Sequence, residues 1–366
     1  MRMRRMSWAG LVVLTGLFAV QMPAQSGQSG VTSGERANNA MQPLLPGEEQ
    51  PAPESRWVRT IRTDLIEGRY AELDAMADQY RASKARALSG AWRLRQFYSV
   101  LDQPAQSDKD FVDHIEHLRQ WMETRPNSIT ARVALATSLH RWAWVARGSG
   151  YAATVTPEGW KLFNERVNEA RVVLEGSANM QPMCPQWFSE MMTVSLALNW
   201  DADKERDIFE RGIRFEPEYF YLYQQYANYL LPKWDGEPGQ ASAFAKDSAD
   251  KLGGEEGDIV YYHVATVLIS RHNKNFPLQE MDWKRIRNGG EAILAKYGQS
   301  RTVANWLAYL AYQYRDAAEA QKEFALIGDE WGRGVWIQRN YFNQARDWAQ
   351  GRTQWPSTNT GEASRP

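Results

Sequence analysis

The chain has 366 residues, of which 43% are hydrophobic and 12% aromatic, so it can bury a large core as roughly two domains or one long repeat array. Its 43 basic side chains nearly balance 44 acidic ones, giving a formal net charge of −1. Because neutralising phosphates requires a basic surplus or a clear basic patch, this balance excludes any electrostatic argument for nucleic acid as a partner. The 16 tryptophans suit cores, interfaces and sugar platforms, so their number alone does not select a function.

Residues 1–24 are predicted to be an export signal peptide. Three arginines among the first five residues form a positive segment, and an apolar stretch follows from Trp8 to Val20. This stretch is too short to span a membrane comfortably, as is typical of a signal. Cleavage is expected near Ala24, but Met22 disturbs the small-residue pattern, so an uncleaved anchor remains an alternative.

The single cysteine, Cys184, lies far from this leader. No lipid-accepting cysteine therefore follows the signal, and no internal disulfide can form. We expect an exported protein, periplasmic or extracellular, that is not a lipoprotein. Contact with a membrane is expected only through an uncleaved signal.

Three further segments follow the leader. Residues 25–55 are rich in Ser, Gly, Gln, Asn and Pro, with too few apolar side chains to offset the entropy of ordering them, so they are predicted to be a disordered linker. Residues 56–350 are predicted to form an α-helical, repeat-like domain. Residues 351–366 are predicted to be a disordered C-terminal tail.

The spacing of apolar residues in the central segment is helical almost throughout. Phe111, Ile115, Leu118 and Met122 recur at i, i+4, i+7 and i+11, and no stretch alternates convincingly with period two. Ser128, Thr156 and Ser300 stand where helix N-caps are expected. Two stretches, "SITARVALATSLHRWAWVAR" and "DIVYYHVATVLISRH", are apolar nearly all round, so we expect other helices to cover each on several sides.

Three helix starts look alike: "RPNSITARVALATSL", "FEPEYFYLYQQYANYL" and "KYGQSRTVANWLAYLA". Each has a Pro or Gly turn, a polar gap and then alternating small and large apolar residues, as in tetratricopeptide helix pairs. Their spacing is irregular, whereas a strict array would repeat every 34 residues or so. The predicted fold is all-α: a helical-hairpin repeat stack, a tetratricopeptide-like α-solenoid with long loops and a hollow flank.

Four blocks carry a family resemblance: "GAWRLRQFYSVLD", "AWVARGSGYAATVTPEGWKLFNERVNEAR", "YANYLLPKWDGEPGQASAFAKD" and "FALIGDEWGRGVWIQRNYFNQARDWA". They resemble a bacterial family known as domain of unknown function 4034, and the similarity runs from about Arg56 to Gln350. The resemblance implies a tetratricopeptide-like helical domain with no assigned chemistry and no assigned catalytic residues.

Motifs for catalysis or for cofactors are weak. His114 and His117 form an H-x-x-H pair, but no third metal ligand, H-E-x-x-H motif or cysteine pair accompanies them. The glycines at 148 and 150 lack the GKS or GKT ending of a nucleotide loop, and no G-x-S-x-G elbow occurs. We therefore predict no metal, no cofactor and no catalytic residue, and we lean against an enzyme without excluding one.

Two places are candidates for binding. Trp142, Trp144, Arg147 and Trp160 surround a glycine-rich loop and can line a groove, although the loop can equally be a plain connection between helices. The second is "YLLPKWDGEPGQ", residues 229–240, in which Pro and Gly account for a turn but do not account for Lys233, Trp234 and Asp235. These three residues either fill the corner or form a recognition surface.

The leading hypothesis is an exported, non-catalytic helical-repeat module that binds a protein or peptide partner in the cell envelope. Stacked helix pairs form extended concave surfaces, and aromatic and arginine side chains are common anchors in them. The alternative is a cell-wall glycan-binding protein or hydrolase that uses exposed tryptophans. A mainly structural role in an envelope assembly is a third hypothesis.

Overall fold

The computed structural model describes residues 55–102, 107–148, 150, 152–234, 236–271 and 277–355. These described residues form sixteen α-helices, two short 3-10 helices and no β-strand. The predicted all-α class is confirmed. The expected signal peptide, and the expected linker apart from Ser55, lie outside the described residues.

The helices follow one another with mostly short connections. In chain order they are α1 (Arg56–Ile66), α2 (Tyr70–Ser83), α3 (Arg93–Leu101), α4 (Asp108–Thr124), α5 (Ile129–Arg147), α6 (Pro157–Glu175), α7 (Pro185–Ala197), α8 (Ala202–Phe215), α9 (Tyr221–Tyr229), α10 (Gln240–Leu252), α11 (Gly254–Arg271), α12 (Trp283–Tyr297), α13 (Arg301–Gln313), α14 (Ala317–Ile327), α15 (Arg333–Trp336) and α16 (Arg339–Ala349).

Side-chain caps fix several helix starts. Ser128 accepts a hydrogen bond from the backbone N–H of Ala131, and Thr156 and Ser300 do the same for their own helices. Ser107 forms a reciprocal capping box with Asp110 at the start of α4. These bonds satisfy backbone donors that have no partner within the helix, so the helices begin at sequence-encoded positions.

The helices from α5 to α14 pack as neighbouring pairs in two rows. The inner row contains α5, α7, α9, α11 and α13, and α5 contacts α7, α7 contacts α9, and α9 contacts α11. Most residues of these helices are buried, which agrees with the two stretches that are apolar nearly all round. The outer row contains α6, α8, α10, α12 and α14, whose exposed faces are mainly polar, with Val172 and Phe215 as exposed apolar residues. The units differ in length, so no strict sequence period runs through them.

The segment from α2 to α3 lies against the inner row. Tyr98 Oη lies 3.4 Å from the Sγ of Cys184 at the start of α7. Trp92 Nε1 donates to the carbonyl of Glu218, and its backbone N–H donates to Tyr221 Oη, both at 3.3 Å. These contacts attach the segment from α2 to α3 to α7 and to the start of α9.

The C-terminal end closes over α13. Trp336 is fully buried, and its Nε1 donates to Asn305 Oδ1 at 2.8 Å. The expected disordered tail is described as far as Trp355, whose ring centroid lies 4.4 Å from that of Tyr312 and 5.1 Å from that of Trp348. No helix in the described ranges is long and apolar enough to cross a membrane.

Candidate functional site

One face of α5 carries His140, Trp144 and Arg147, spaced at i, i+4 and i+7. The Trp144 ring meets Phe163 of α6 edge-on, with centroids 5.2 Å apart. Trp160, one turn earlier on α6, meets the same phenylalanine edge-on at 5.7 Å. The packing of α5 on α6 thus brings together three residues that the sequence selected: Trp144, Arg147 and Trp160. We call these three and His140 the α5 surface.

Arg147 lies at the centre of the α5 surface. Its guanidinium carbon is 5.1 Å from the centroid of the Trp144 ring and 5.3 Å from that of Trp160. Its Nη1 donates to the carbonyls of Gly148 and Gly150, each at 3.1 Å. Two aromatic faces attract the cation and two carbonyls fix its orientation. Within the described part of the chain, no carboxylate lies at ion-pair distance from Arg147.

His140 lies beside a buried acid. Its Nδ1 lies 3.2 Å from Oε1 of Glu190, and the side chains are 18% and 5% exposed, respectively. Thr137 Oγ1 donates to the other carboxylate oxygen of Glu190 at 3.1 Å. The imidazole also packs edge-on against Trp144, at 6.4 Å.

The sequence analysis did not select His140 or Glu190 as site residues. The spacing of His140 from Trp144 and Arg147 is a usable signal, because residues four and seven apart share a helix face. No comparable signal exists for Glu190, which reaches the site from α7. Only the packing of α7 beside α5 brings its carboxylate to the imidazole.

A buried polar group supports α5 from behind. Ser138 Oγ donates to Asp102 Oδ1 at 3.2 Å, and Arg141 Nη1 lies 3.5 Å from Asp102 Oδ2. Burial raises the pKa of the Asp102 carboxyl, and the charge of Arg141 opposes that rise. Asp102 follows α3, so these contacts tie α3 to α5 and hold the α5 surface on a rigid support.

Trp142 points elsewhere, because two residues along a helix turn the side chain by about 200°. The guanidinium carbon of Arg166 lies 3.4 Å from its ring centroid, and Phe111 stacks on the ring at 6.0 Å. Its Nε1 donates to Asp108 Oδ1 at 2.7 Å. The chain itself thus supplies three contacts to the Trp142 side chain, and these contacts join α5 to α4 and α6.

The loop between α9 and α10 contains Lys233 and Trp234, whereas Asp235 lies outside the described residues. The backbone N–H groups of Trp234 and Gly236 donate to the Leu231 carbonyl at 2.9 and 3.3 Å. A Cβ at Gly236 would lie 1.8 Å from the Leu230 oxygen, so the corner requires glycine there. The Trp234 residue is 42% exposed. The structure therefore places Lys233 and Trp234 on a separate loop from the α5 surface.

The two histidines of the H-x-x-H pair, His114 and His117, are placed by contacts within the protein. Burial, together with the positive charge of Arg141, lowers the pKa of His114 to about 4. Nδ1 of His117 lies 2.7 Å from the carbonyl oxygen of Asp113, one turn earlier in the helix. In the part of the chain that the structure describes, no group of three His, Cys, Asp or Glu side chains is placed to hold a metal ion.

Comparison with known families gives one match. Residues 58–200 match the family model described as Domain of unknown function (DUF4034), so the resemblance is confirmed for this part of the chain. The blocks at 90–102 and 143–171 lie inside the matched range, and those at 226–247 and 324–349 lie beyond it. No curated protein and no solved structure matches the chain.

Proposed function

We propose that this chain is an exported, non-catalytic helical module that binds an acidic segment of a protein partner in the cell envelope. The binding site is the α5 surface. The observation that carries the proposal is Arg147, a cation held between two half-buried tryptophans with no carboxylate of its own among the described residues.

The chemistry of Arg147 selects an acidic partner. Only its Nη1 donates to protein carbonyls in the described residues, which leaves the Nη2 and Nε donors for another acceptor. A carboxylate accepts paired hydrogen bonds from a guanidinium, and such charge-assisted bonds are stronger than neutral ones. Tryptophan and arginine are also the residues that most often dominate binding energy at protein interfaces.

A second candidate function, the glycan-binding protein or hydrolase, rests on His140. A partly exposed imidazole beside a buried carboxylate is a pair of residue types that general-base sites use. The Trp144 and Trp160 rings are poor platforms for stacking a sugar, because the guanidinium of Arg147 already lies over both rings. A catalytic role predicts that His140→Gln abolishes turnover of a peptidoglycan fragment. A binding role predicts that neither the wild type nor the His140→Gln variant turns over the peptidoglycan fragment.

Export is the part of the proposal that rests on the sequence. Replacing the three arginines of the first five residues with Gln should retain a tagged chain in the cytoplasm, because the positive segment is what the export machinery requires. The measurement is cell fractionation with the tag detected by immunoblot. Equal export of the two chains would contradict the proposal.

Binding can be tested with a labelled peptide of alternating Glu and Leu residues, followed by fluorescence anisotropy. The matched peptide has Lys in place of Glu. Removing one charge-assisted contact costs about 1.5–3 kcal/mol, so Arg147→Gln should weaken binding of the acidic peptide by about tenfold or more. Trp144→Ala should weaken it as well, because it removes one of the two rings that hold Arg147.

Arg333→Gln is the matched control, because the Arg333 guanidinium also lies over a tryptophan ring, at 5.8 Å from Trp331. This variant should bind as the wild type does, and circular dichroism should show that all variants are folded. Equal affinity for the Lys and Glu peptides would refute the proposal. So would an equal effect of Arg147→Gln and Arg333→Gln.

A further inference from the structure

The outer row contains three furrows of nearly equal size. They lie between α6 and α8, between α8 and α10, and between α12 and α14, with volumes of about 450, 470 and 440 Å³. Volumes of this order are typical of small-molecule pockets. None of the three includes a residue of the α5 surface.

The furrow between α8 and α10 has an aromatic floor. Phe209 stacks on Tyr226 with centroids 4.5 Å apart, and Phe244 meets these rings edge-on at 5.3 and 5.0 Å. Phe209 and Tyr226 are buried, whereas Phe244 is half-buried at the side of the furrow. Such a floor favours a flat apolar group, because aromatic rings pack well edge-on or in offset stacks.

The charges around this furrow distinguish it from the other two. Its lining has two cations, Arg206 and Lys251, and one acid, Asp247. The furrow between α6 and α8 has three acids and two cations, and the furrow between α12 and α14 has two acids and one cation. Only the α8–α10 furrow therefore combines a positive surplus with a cluster of rings.

The two cations differ in their contacts. Arg206 Nε donates to Tyr226 Oη at 3.5 Å, and its Nη1 lies 3.8 Å from Asp203. No carboxylate among the described residues lies within ion-pair distance of Lys251, and its side chain is exposed. A ligand carboxylate near Lys251 would supply the missing counter-charge while its apolar part covers the rings.

We propose that the α8–α10 furrow binds a small free aromatic carboxylate, of the size of an N-acylated aromatic amino acid. The ring of the ligand packs on Phe209, Tyr226 and Phe244. Its carboxylate lies near Lys251, at the C-terminal end of α10. This site is separate from the α5 surface, so the two proposals are tested independently.

The probe is N-acetyl-phenylalanine, observed by saturation-transfer NMR with the full chain. N-acetyl-phenylalanine amide keeps the ring and removes the charge, and N-acetyl-alanine keeps the charge and removes the ring. We expect the first compound to bind at least about tenfold more tightly than either of the others. Equal binding of the acid and its amide would overturn the charge argument. An absence of saturation transfer from the protein to the acid, at millimolar acid concentration, would overturn the site itself.

Two exposed substitutions locate the ligand. Ala243 lines the furrow on α10 and is exposed, so Ala243→Trp fills the space without removing a core side chain, and binding should be lost. Ala318→Trp, at an exposed position on α14, is the steric control and should leave binding unchanged. Binding that survives Ala243→Trp would place the ligand elsewhere and refute the proposal.

The charge test uses Lys251→Gln, with Lys246→Gln as its control. Both lysines are exposed on α10, but Lys246 pairs with Asp250 at 2.9 Å and does not line the furrow. We expect Lys251→Gln to weaken binding of the acid by about tenfold and to leave the weak binding of the amide unchanged. Equal effects of the two substitutions would refute a carboxylate contact.

Discussion

Glu205 offers a test of the packing between α7 and α8. It lies in the first turn of α8 and is 2% exposed, and its Oε2 has no hydrogen-bond partner among the described residues. Burial raises the pKa of its carboxyl to about 7, and the Ser195 hydroxyl offsets part of the rise. The folded state therefore favours the neutral acid, and ionisation of Glu205 opposes folding. Glu205→Gln removes that cost while retaining shape and size.

The expected effect depends on pH. The folded pKa of about 7 exceeds the ordinary glutamate value of 4.5, so the stability that the neutral acid provides is complete below pH 4.5 and is lost as the pH rises through 7. Each pKa unit corresponds to about 1.4 kcal/mol, so the full loss is about 3 kcal/mol. Glu205→Gln should therefore raise the free energy of unfolding by about 3 kcal/mol at about pH 8, and by less than about 0.5 kcal/mol at about pH 4.5.

The assay is urea unfolding followed by circular dichroism across this pH range, with wild type and variant compared at each pH. Glu210→Gln is the matched control, because Glu210 is exposed on the same helix. Its difference from wild type should stay within about 0.5 kcal/mol. A stability difference for Glu205→Gln that does not change with pH would show that the carboxyl is not buried as described.

Two other substitutions and one control test the packing elsewhere. Gly236→Ala should lower the free energy of unfolding by about 3 kcal/mol, because its Cβ would collide with the Leu230 oxygen. Gly239→Ala, at φ +80° in open space, should cost only about 1 kcal/mol, and equal costs in urea unfolding would contradict the tight corner. Asn305→Ala should cost about 3 kcal/mol in the same measurement, because it removes the acceptor of the buried Trp336 indole N–H. A loss below about 1 kcal/mol would show that water or another group replaces the acceptor.

The sequence alone determined the helical class and much of the local structure. Apolar spacing along the chain follows the geometry of the backbone, so the helices and the caps at Ser128, Thr156 and Ser300 could be predicted without a structure. The contact between Trp144 and Arg147 could also be predicted from the sequence, because residues three apart on a helix are neighbours.

The tertiary structure decided which of these residues meet. Glu190 reaches His140 from another helix, and Trp92 contacts Glu218 from 126 residues away. The separation of Trp142 from Trp144 was visible in the helix geometry, but the partners that cover Trp142 were not. Helix periodicity is a property of neighbouring residues, whereas the choice of partner helix depends on how whole faces fit together. That fit is what assembled the α5 surface.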